Sequence, residues 1–218
     1  MLFYFMLKKK SEKDFDLLNE IKRKSVHIFA LSYILIYYFV SKFYGHDNAL
    51  FALATLLIVF LIVDFFRVER RKKILFFYQF WRPKEKGRFG GQVFFLTGVI
   101  IAFAVFSFNI ALAAILMTIF GDMAAALVGK KYGKHYLASL KDRAWEGILG
   151  EFFVDVIVGV MVFFWGVWNF SDLNLWLIVL VMAVVATLVE TSLDKLDDNL
   201  MIPVFSGFFG YVVWLIVF

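Results

Sequence analysis

Seven apolar segments, each close to the length of a membrane-spanning helix, constrain the fold of this chain more than any other feature. The chain has 218 residues and is 62% hydrophobic, whereas an ordinary soluble domain is about 45–50% apolar. A helix needs about 20 mainly apolar residues to cross a bilayer. The pattern predicts an all-α polytopic transmembrane bundle of about seven spans, with six as the alternative because segment 91–107 is short. The segments are residues 26–44, 49–66, 91–107, 109–128, 147–168, 173–190 and 200–218.

The chain is expected to form one membrane-embedded domain over residues 1–218, which the motifs below mark as catalytic. No internal repeat or low-complexity linker divides the chain, and the absence of cysteine excludes disulfides and thiolate metal sites. Apolar residues 1–7 precede the lysines at 8–10, which reverses the order found in a signal peptide. We therefore expect no cleaved presequence.

The positive charges predict the orientation of the bundle. Lys and Arg number seven in residues 1–25, nine in 67–90 and five in 129–146. With Lys195, these alternate connections hold 22 of the 23 basic residues. Because such residues stay on the cytoplasmic side, we expect a cytoplasmic N-terminus and an active site facing the cytoplasm. The net charge of +5 is then an orientation signal, and we expect no nucleic-acid partner.

Acidic residues near the predicted cytoplasmic ends are candidate cation ligands. Asp122 would lie about 6–9 Å inside the end of segment 109–128, where a carboxylate favours a bound cation or pairing with Lys130. A second acidic cluster runs from Glu190 to Asn199. Its carboxylate and amide oxygens are hard ligands of the kind that Mg²⁺ prefers. Glu151 and Asp155 lie one helical turn apart, where they would serve a site or pair with basic side chains.

The segment between two of the spans combines glycine and lysine in a way that suits phosphate. Glycines at 129 and 133 leave the backbone free to wrap an anion, and Lys130 and Lys134 supply positive charge. A P-loop has four residues between its glycines and a Ser or Thr after its lysine. Here three residues separate the glycines and His135 follows Lys134, so the segment is not a P-loop. Glu146 begins the next span, where it would stabilise the helix dipole or act as a metal ligand or base.

These motifs, taken in order, resemble the CTP-dependent lipid-alcohol kinase family, which includes dolichol kinases, phytol and farnesol kinases and the fungal-type diacylglycerol kinase. The resemblance extends from Glu20 to Pro203. At one point the chain departs from the family pattern, since Arg143 and Ala144 stand where the family has Lys and then Ser or Thr. The motifs are E-x-x-R-K-x-x-H (Glu20 to His27), R-x-x-E with following glycines (Arg82, Glu85, Gly90, Gly91), G-D-x-x-A (Gly121, Asp122, Ala125), G-K-x-x-x-K (Gly129, Lys130, Lys134), W-E-G (Trp145 to Gly147) and D-D-N-x-x-x-P (Asp197 to Pro203).

The resemblance implies a Mg²⁺-dependent transfer of the γ-phosphate of CTP to the hydroxyl of a membrane lipid. The implied acceptor is a polyprenol, dolichol or similar isoprenoid alcohol, with diacylglycerol as a further candidate. The implied metal ligands are Asp122, Asp197, Asp198 and Asn199. The implied catalytic residues are Asp122, Glu146, Asp198 and His27. The implied nucleotide-binding residues are Lys130, Lys134, Arg143, Arg23, Lys24, Arg82, Gly129 and Gly133.

Two other functions stay open at this point. The same core resembles phosphatidate cytidylyltransferases, in which a lipid phosphate attacks the α-phosphate of CTP and pyrophosphate leaves. A transporter is the second alternative, and its flux would depend on Glu151 and Asp155. The sequence leaves the oligomeric state open.

Overall fold

The computed structural model describes residues 29–70, 89–137, 140–164, 172–192 and 197–218. Seven helices and one short antiparallel hairpin lie in this part of the chain. Each predicted apolar segment overlaps one of the helices, so the prediction of an all-helical bundle is confirmed. The elements are α1 (Leu31–Tyr44), α2 (His46–Arg70), α3 (Gly91–Val105), α4 (Phe108–Tyr132), β1 (Tyr136–Leu137), β2 (Leu140–Ala144), α5 (Trp145–Phe164), α6 (Leu173–Ser192) and α7 (Asp198–Val217).

Five of these helices, α2 and α4 to α7, are long and apolar enough to cross a membrane. Helix α3 is apolar but has only 15 residues, which span about 22 Å at 1.5 Å per residue. That length falls short of a hydrocarbon core about 30 Å thick. The number of spans and the orientation of the N-terminus therefore stay predictions.

Helix α4 lies at the centre of the bundle. It packs against α3, α5, α6 and α7, and more than half of its apolar stretch is buried. The buried side chains include Ile110, Ile115 and Met117, each no more than 1% exposed. Since these helices pack against it, the polar residues Thr118 and Asp122 of α4 are buried among its neighbours, at 1% and 7% exposed.

Helix α4 ends later than the hydropathy predicts. It continues to Tyr132, and the Gly133 N–H then bonds to the Gly129 carbonyl at 3.0 Å. Lys130 and Lys131 occupy the last turn, where positive charge interacts favourably with the helix dipole. Asp122 is thus ten residues from the helix end, or about 15 Å. The helix therefore ends four residues after the predicted segment, because apolarity stops before the helix does. The depth of Asp122 in the bilayer stays a prediction.

A close contact between α4 and α5 fixes the relative position of these two helices. A Cβ atom at Gly147 would lie 2.7 Å from the Ala125 carbonyl oxygen and 3.1 Å from the Gly129 Cα. Both of these atoms are backbone, so they cannot move aside as a flexible side chain would. Only glycine at position 147 lets the helices approach this closely. The contact lies between Asp122 and the hairpin and therefore sets their relative position.

A buried carboxylate of α2 holds the start of α3 against that helix. The Asp64 side chain is 5% exposed and accepts a hydrogen bond from Arg67 Nε at 2.7 Å. It also accepts one from the backbone N–H of Gly90, the residue before α3. The acid satisfies a backbone donor at the helix N-terminus, as a capping side chain does. This contact fixes one side of the bundle end that carries the candidate site.

Candidate metal and nucleotide site

Three carboxylates from three different helices meet at one end of the bundle. Asp122 comes from α4, Glu190 from the last turn of α6 and Asp198 from the first residue of α7. Each offers one oxygen, and the three oxygens lie within 4.8 Å of one another. Asp122 and Glu190 are 7% and 6% exposed. We call these three residues the carboxylate triad.

The triad has the chemistry of a site for a hard divalent cation. Like charges at this separation repel strongly when water is largely excluded. A cation between them removes that repulsion, and carboxylate oxygens are the ligands that Mg²⁺ prefers. Mg²⁺ also keeps coordination positions for substrate phosphates. The donor set therefore fits the magnesium ion that the sequence motifs imply.

Two further acids lie behind the triad on α5. Glu151 is 2% exposed and Asp155 is fully buried. Glu151 interacts electrostatically with Asp122 and Glu190 of the triad, and also with Asp155 and Arg143. The Asp155 carboxylate lies against Gly121, in the space that a Cβ atom at that position would need. These contacts place the acids of α5 directly beside the residue that precedes Asp122.

The hairpin brings a basic side chain to the triad. Arg143, near the end of β2, donates a hydrogen bond from Nη1 to Oε1 of Glu190 at 3.0 Å. Its side chain is 24% exposed and that of Glu190 is 8% exposed. A guanidinium carries five N–H donors, so this contact leaves donors for a second partner. Arg143 therefore lies where it could hold a phosphate at the triad.

Glu146 fastens the hairpin to α5. Its Oε1 lies 2.8 Å from Nδ1 of His135, and its Oε2 accepts the His135 backbone N–H at 3.4 Å. The Trp145 N–H bonds to the His135 carbonyl at 2.9 Å. Glu146 is outside the carboxylate triad. Its observed contacts hold the hairpin in place, and the catalytic role that the motif implies stays a prediction.

Asp197 and Asn199 organise the start of α7. The Asp197 side chain caps the helix by accepting the Asn199 N–H at 3.1 Å. It also accepts the Asn199 side-chain amide at 2.8 Å. The Asn199 N–H bonds to Asp198 Oδ1 at 2.9 Å as well. Of the three residues, Asp198 alone belongs to the triad. Metal ligation by Asp197 and Asn199 stays a prediction.

In residues 129–134, which are predicted to bind phosphate, the glycines are packed and the lysines are exposed. Gly129 contacts Gly147 of α5, and Gly133 turns the chain tightly beside Gly129 and Ala144. Lys130 and Lys134 are exposed at the end of α4 and just before the hairpin. The glycines therefore pack the helix end, and the lysines lie at the surface. Nucleotide contact by these four residues stays a prediction.

Four predicted site residues lie outside the described part of the chain. They are Arg23, Lys24, His27 and Arg82. Their predicted roles in catalysis and nucleotide binding are untested by the geometry.

Sequence reasoning placed Glu190 in an acidic cluster but not among the metal ligands. Three of the predicted metal ligands came from the contiguous motif Asp197–Asn199 instead. Glu190 joins the triad because α6 ends beside the start of α7, a relationship that hydropathy does not specify. The signal that could have identified it is an acid within the last turn of an otherwise apolar span.

Comparisons with known proteins identify three fungal relatives with the same name and one relative that is uncharacterised. The chain is 30% identical to the CTP-dependent diacylglycerol kinase 1 of Schizosaccharomyces pombe over 141 residues, which is 61% of this chain and 64% of that enzyme. It is 27% identical to the enzyme of the same name in Saccharomyces cerevisiae over 216 residues, 90% of this chain and 74% of the yeast enzyme. An uncharacterised protein of Rickettsia prowazekii is 30% identical over 200 residues, 88% of this chain and 92% of that protein.

Neither a protein-family model nor a solved structure matches the chain. The match spans slightly less than two thirds of the Schizosaccharomyces pombe enzyme. The fungal relatives carry the activity that the ordered motifs implied, so the resemblance found in the sequence is confirmed. The chain is a homologue of the fungal-type CTP-dependent lipid kinases.

Proposed function

We propose that this chain is a CTP-dependent lipid kinase, which transfers the γ-phosphate of CTP to the hydroxyl of a membrane lipid. The observation that carries the proposal is the carboxylate triad of Asp122, Glu190 and Asp198, which lies next to Arg143 at one end of an apolar bundle. Such an arrangement brings a soluble triphosphate and a membrane-bound hydroxyl to the same point. The homology to CTP-dependent diacylglycerol kinases supports it.

Phosphoryl transfer requires positioning and charge neutralisation more than covalent assistance. The triad would hold Mg²⁺, which would neutralise charge on the transferred phosphate. Arg143 binds the same phosphates through the guanidinium donors that Glu190 leaves available. Glu190 thus orients Arg143 while it contributes to the triad. Lys130 and Lys134 attract the nucleotide from solvent, because they are exposed beside the site.

The acceptor lies in the bilayer with its hydroxyl at the triad. Two triad residues are buried in the bundle, and Asp198 is only partly exposed, so little water competes with the lipid hydroxyl for the phosphate. Diacylglycerol is the first acceptor to test, since it is the substrate in the names of the fungal relatives. Dolichol and other isoprenoid alcohols, which the motifs also imply, are the second.

The test uses the purified full chain in detergent with Mg²⁺ and γ-labelled CTP or ATP. Diacylglycerol, dolichol, phytol and geranylgeraniol are supplied separately. We expect label in a lipid with CTP and little with ATP, and the labelled lipid identifies the acceptor. Absence of lipid label with every alcohol would contradict the proposal. Release of pyrophosphate from CTP and phosphatidate would instead assign the chain to the cytidylyltransferases.

A variant of the triad links the activity to this site. Asp198→Asn keeps the size of the side chain and removes its charge, so lipid labelling should fall while the protein still folds. Asp172→Asn is the matched control. Asp172 lies at the start of α6, at the other end of that helix from Glu190, where its side chain accepts the Asn174 N–H at 3.0 Å. Asn caps helices as well as Asp does, so this variant should retain full activity.

A further inference from the structure

The buried acids of α5 lie outside the carboxylate triad and have no role in the function proposed above. Glu151 and Asp155 are separated by one helical turn, so their side chains share one face of α5. Glu151 is 2% exposed and Asp155 is fully buried. Carboxylates in such surroundings are stable only when a cation, a base or a proton compensates them. The contacts of Asp155 show whether a basic side chain compensates its charge.

Asp155 has no hydrogen-bond partner for either carboxylate oxygen among the described residues. The residues that interact with it electrostatically are Glu190 and Glu151, and both are acids. The carboxylate points at the backbone of α4, where Gly121 leaves the room that it occupies. The two carboxylate oxygens therefore lie against the residue that precedes Asp122, and they have no donor among the described residues.

Arg143, the base that interacts with Glu151, is already engaged. Arg143 interacts with Glu151, but its Nη1 donates to Glu190 at 3.0 Å. Asp155 lies one further turn into the bundle than Glu151, which increases its distance from the hairpin that carries Arg143. Pairing with a basic side chain, the simplest explanation for an acid inside a helix, is therefore not observed for Asp155 in the described part of the chain.

We propose that Asp155 and Glu151 bind a second divalent cation, deeper in the bundle than the carboxylate triad. The ligands are hard oxygens, which suit Mg²⁺ or Mn²⁺. The location beside Gly121 makes the second cation a neighbour of the one held at Asp122. Two adjacent cations can stabilise both the attacking and the leaving oxygen of a phosphoryl transfer. That catalytic use rests on the proposed kinase function, whereas binding of the cation does not.

The test counts Mn²⁺ ions bound to the full chain without nucleotide or lipid acceptor. The purified protein in detergent is titrated with MnCl₂, and free Mn²⁺ is measured by electron paramagnetic resonance. We expect two Mn²⁺ per chain in the unsubstituted protein. Asp155→Asn should bind one, Asp198→Asn should bind one, and the Asp172→Asn control should bind two. The count is independent of kinase activity, so a failure to label lipid would refute the proposed function and leave this result standing.

Thermal melting of each variant separates loss of a site from loss of the fold. If Asp155→Asn does not fold, Glu151→Gln on the same face of α5 replaces it and should also bind one Mn²⁺. Two ions bound to a folded Asp155→Asn protein would overturn the proposal. A single ion in the unsubstituted chain, unaffected by Asp155→Asn and lost in Asp198→Asn, would overturn it as well. In that case a proton would compensate Asp155.

Discussion

Replacement of Gly147 by alanine should destabilise the bundle, although alanine is the better helix former. The added Cβ would lie 2.7 Å from the Ala125 carbonyl oxygen, about 0.7 Å inside the 3.4 Å at which ordinary contacts begin. It would also lie 3.1 Å from the Gly129 Cα. Relief of these contacts requires α4 and α5 to separate, because the opposing atoms are backbone.

The magnitude follows from two opposing contributions. Overpacking of a tight contact costs about 1–3 kcal/mol. Exchange of glycine for alanine in a helix interior contributes about 1 kcal/mol of stabilisation, and less near a helix end such as position 147. The net change in the free energy of unfolding for Gly147→Ala is therefore a loss of about 1–2 kcal/mol.

Gly129→Ala is the matched control, since it adds the same methyl group to the other side of the same contact. Its Cβ would meet the Gly147 Cα at 3.6 Å, which is an ordinary van der Waals distance. Only the higher helix propensity of alanine then changes the stability, so this variant should be neutral or more stable by up to about 1 kcal/mol.

The assay is thermal unfolding of both variants in the same detergent, followed by tryptophan fluorescence and without nucleotide. A difference of about 2 kcal/mol corresponds to a Tm difference of roughly 5 °C for a chain of this size. Gly147→Ala should have the lower Tm. Equal melting temperatures, or a lower value for Gly129→Ala, would refute the argument that the backbone contact at Gly147 holds α4 to α5.

Three further predictions concern the site. Asp198→Asn should reduce kcat for lipid phosphorylation by about 100-fold or more, the size of effect seen when one group that stabilises transition-state charge is removed; a loss below about threefold in steady-state kinetics would argue against a role in the triad. Arg143→Ala should raise the KM for CTP and lower the melting temperature, because Glu190 loses its hydrogen bond. Arg143→Lys should recover only part of both values, since an ammonium lacks the planar guanidinium donors. Full recovery in Arg143→Lys would show that charge alone suffices. Asp197→Ala should lose about 1 kcal/mol of stability, as expected for a helix cap. Asp197→Asn tests the predicted ligation of the cation, since it should lose activity with unchanged melting; full activity would show that Asp197 acts as a cap only.

The helical fold could be predicted from the sequence because each span is a contiguous apolar segment. All seven segments correspond to helices, as expected when the bilayer requires every backbone group to be bonded within its own helix. The hairpin of β1 and β2 was not predicted. Its first strand has two residues, which is too short to show an alternating pattern, and it depends on tertiary contacts between Glu146 and His135.

The candidate site could be predicted in part. Asp122 and Asp198 were identified because an acid at the end of an apolar span is costly unless it pairs with a base or binds a cation. Their meeting with Glu190 depends on how three helices pack, which no local pattern encodes. Asp197 and Gly133 were predicted from their motifs to bind the metal and the nucleotide, and these roles stay predictions. In the structure Asp197 caps a helix and Gly133 lies in a tight turn. Residues of these types serve local backbone geometry as readily as they bind ligands.

The measurement that tests the central claim most directly follows the two ends of the CTP triphosphate separately. The full chain is incubated with Mg²⁺, diacylglycerol and either α-labelled or γ-labelled CTP, and the lipid fraction is analysed for label. A lipid kinase places the γ-label in the lipid and leaves the α-label in soluble CDP, and both signals should be lost together in Asp198→Asn. Incorporation of the α-label into lipid, or γ-labelling that persists in Asp198→Asn, would contradict the assignment of phosphoryl transfer to the carboxylate triad.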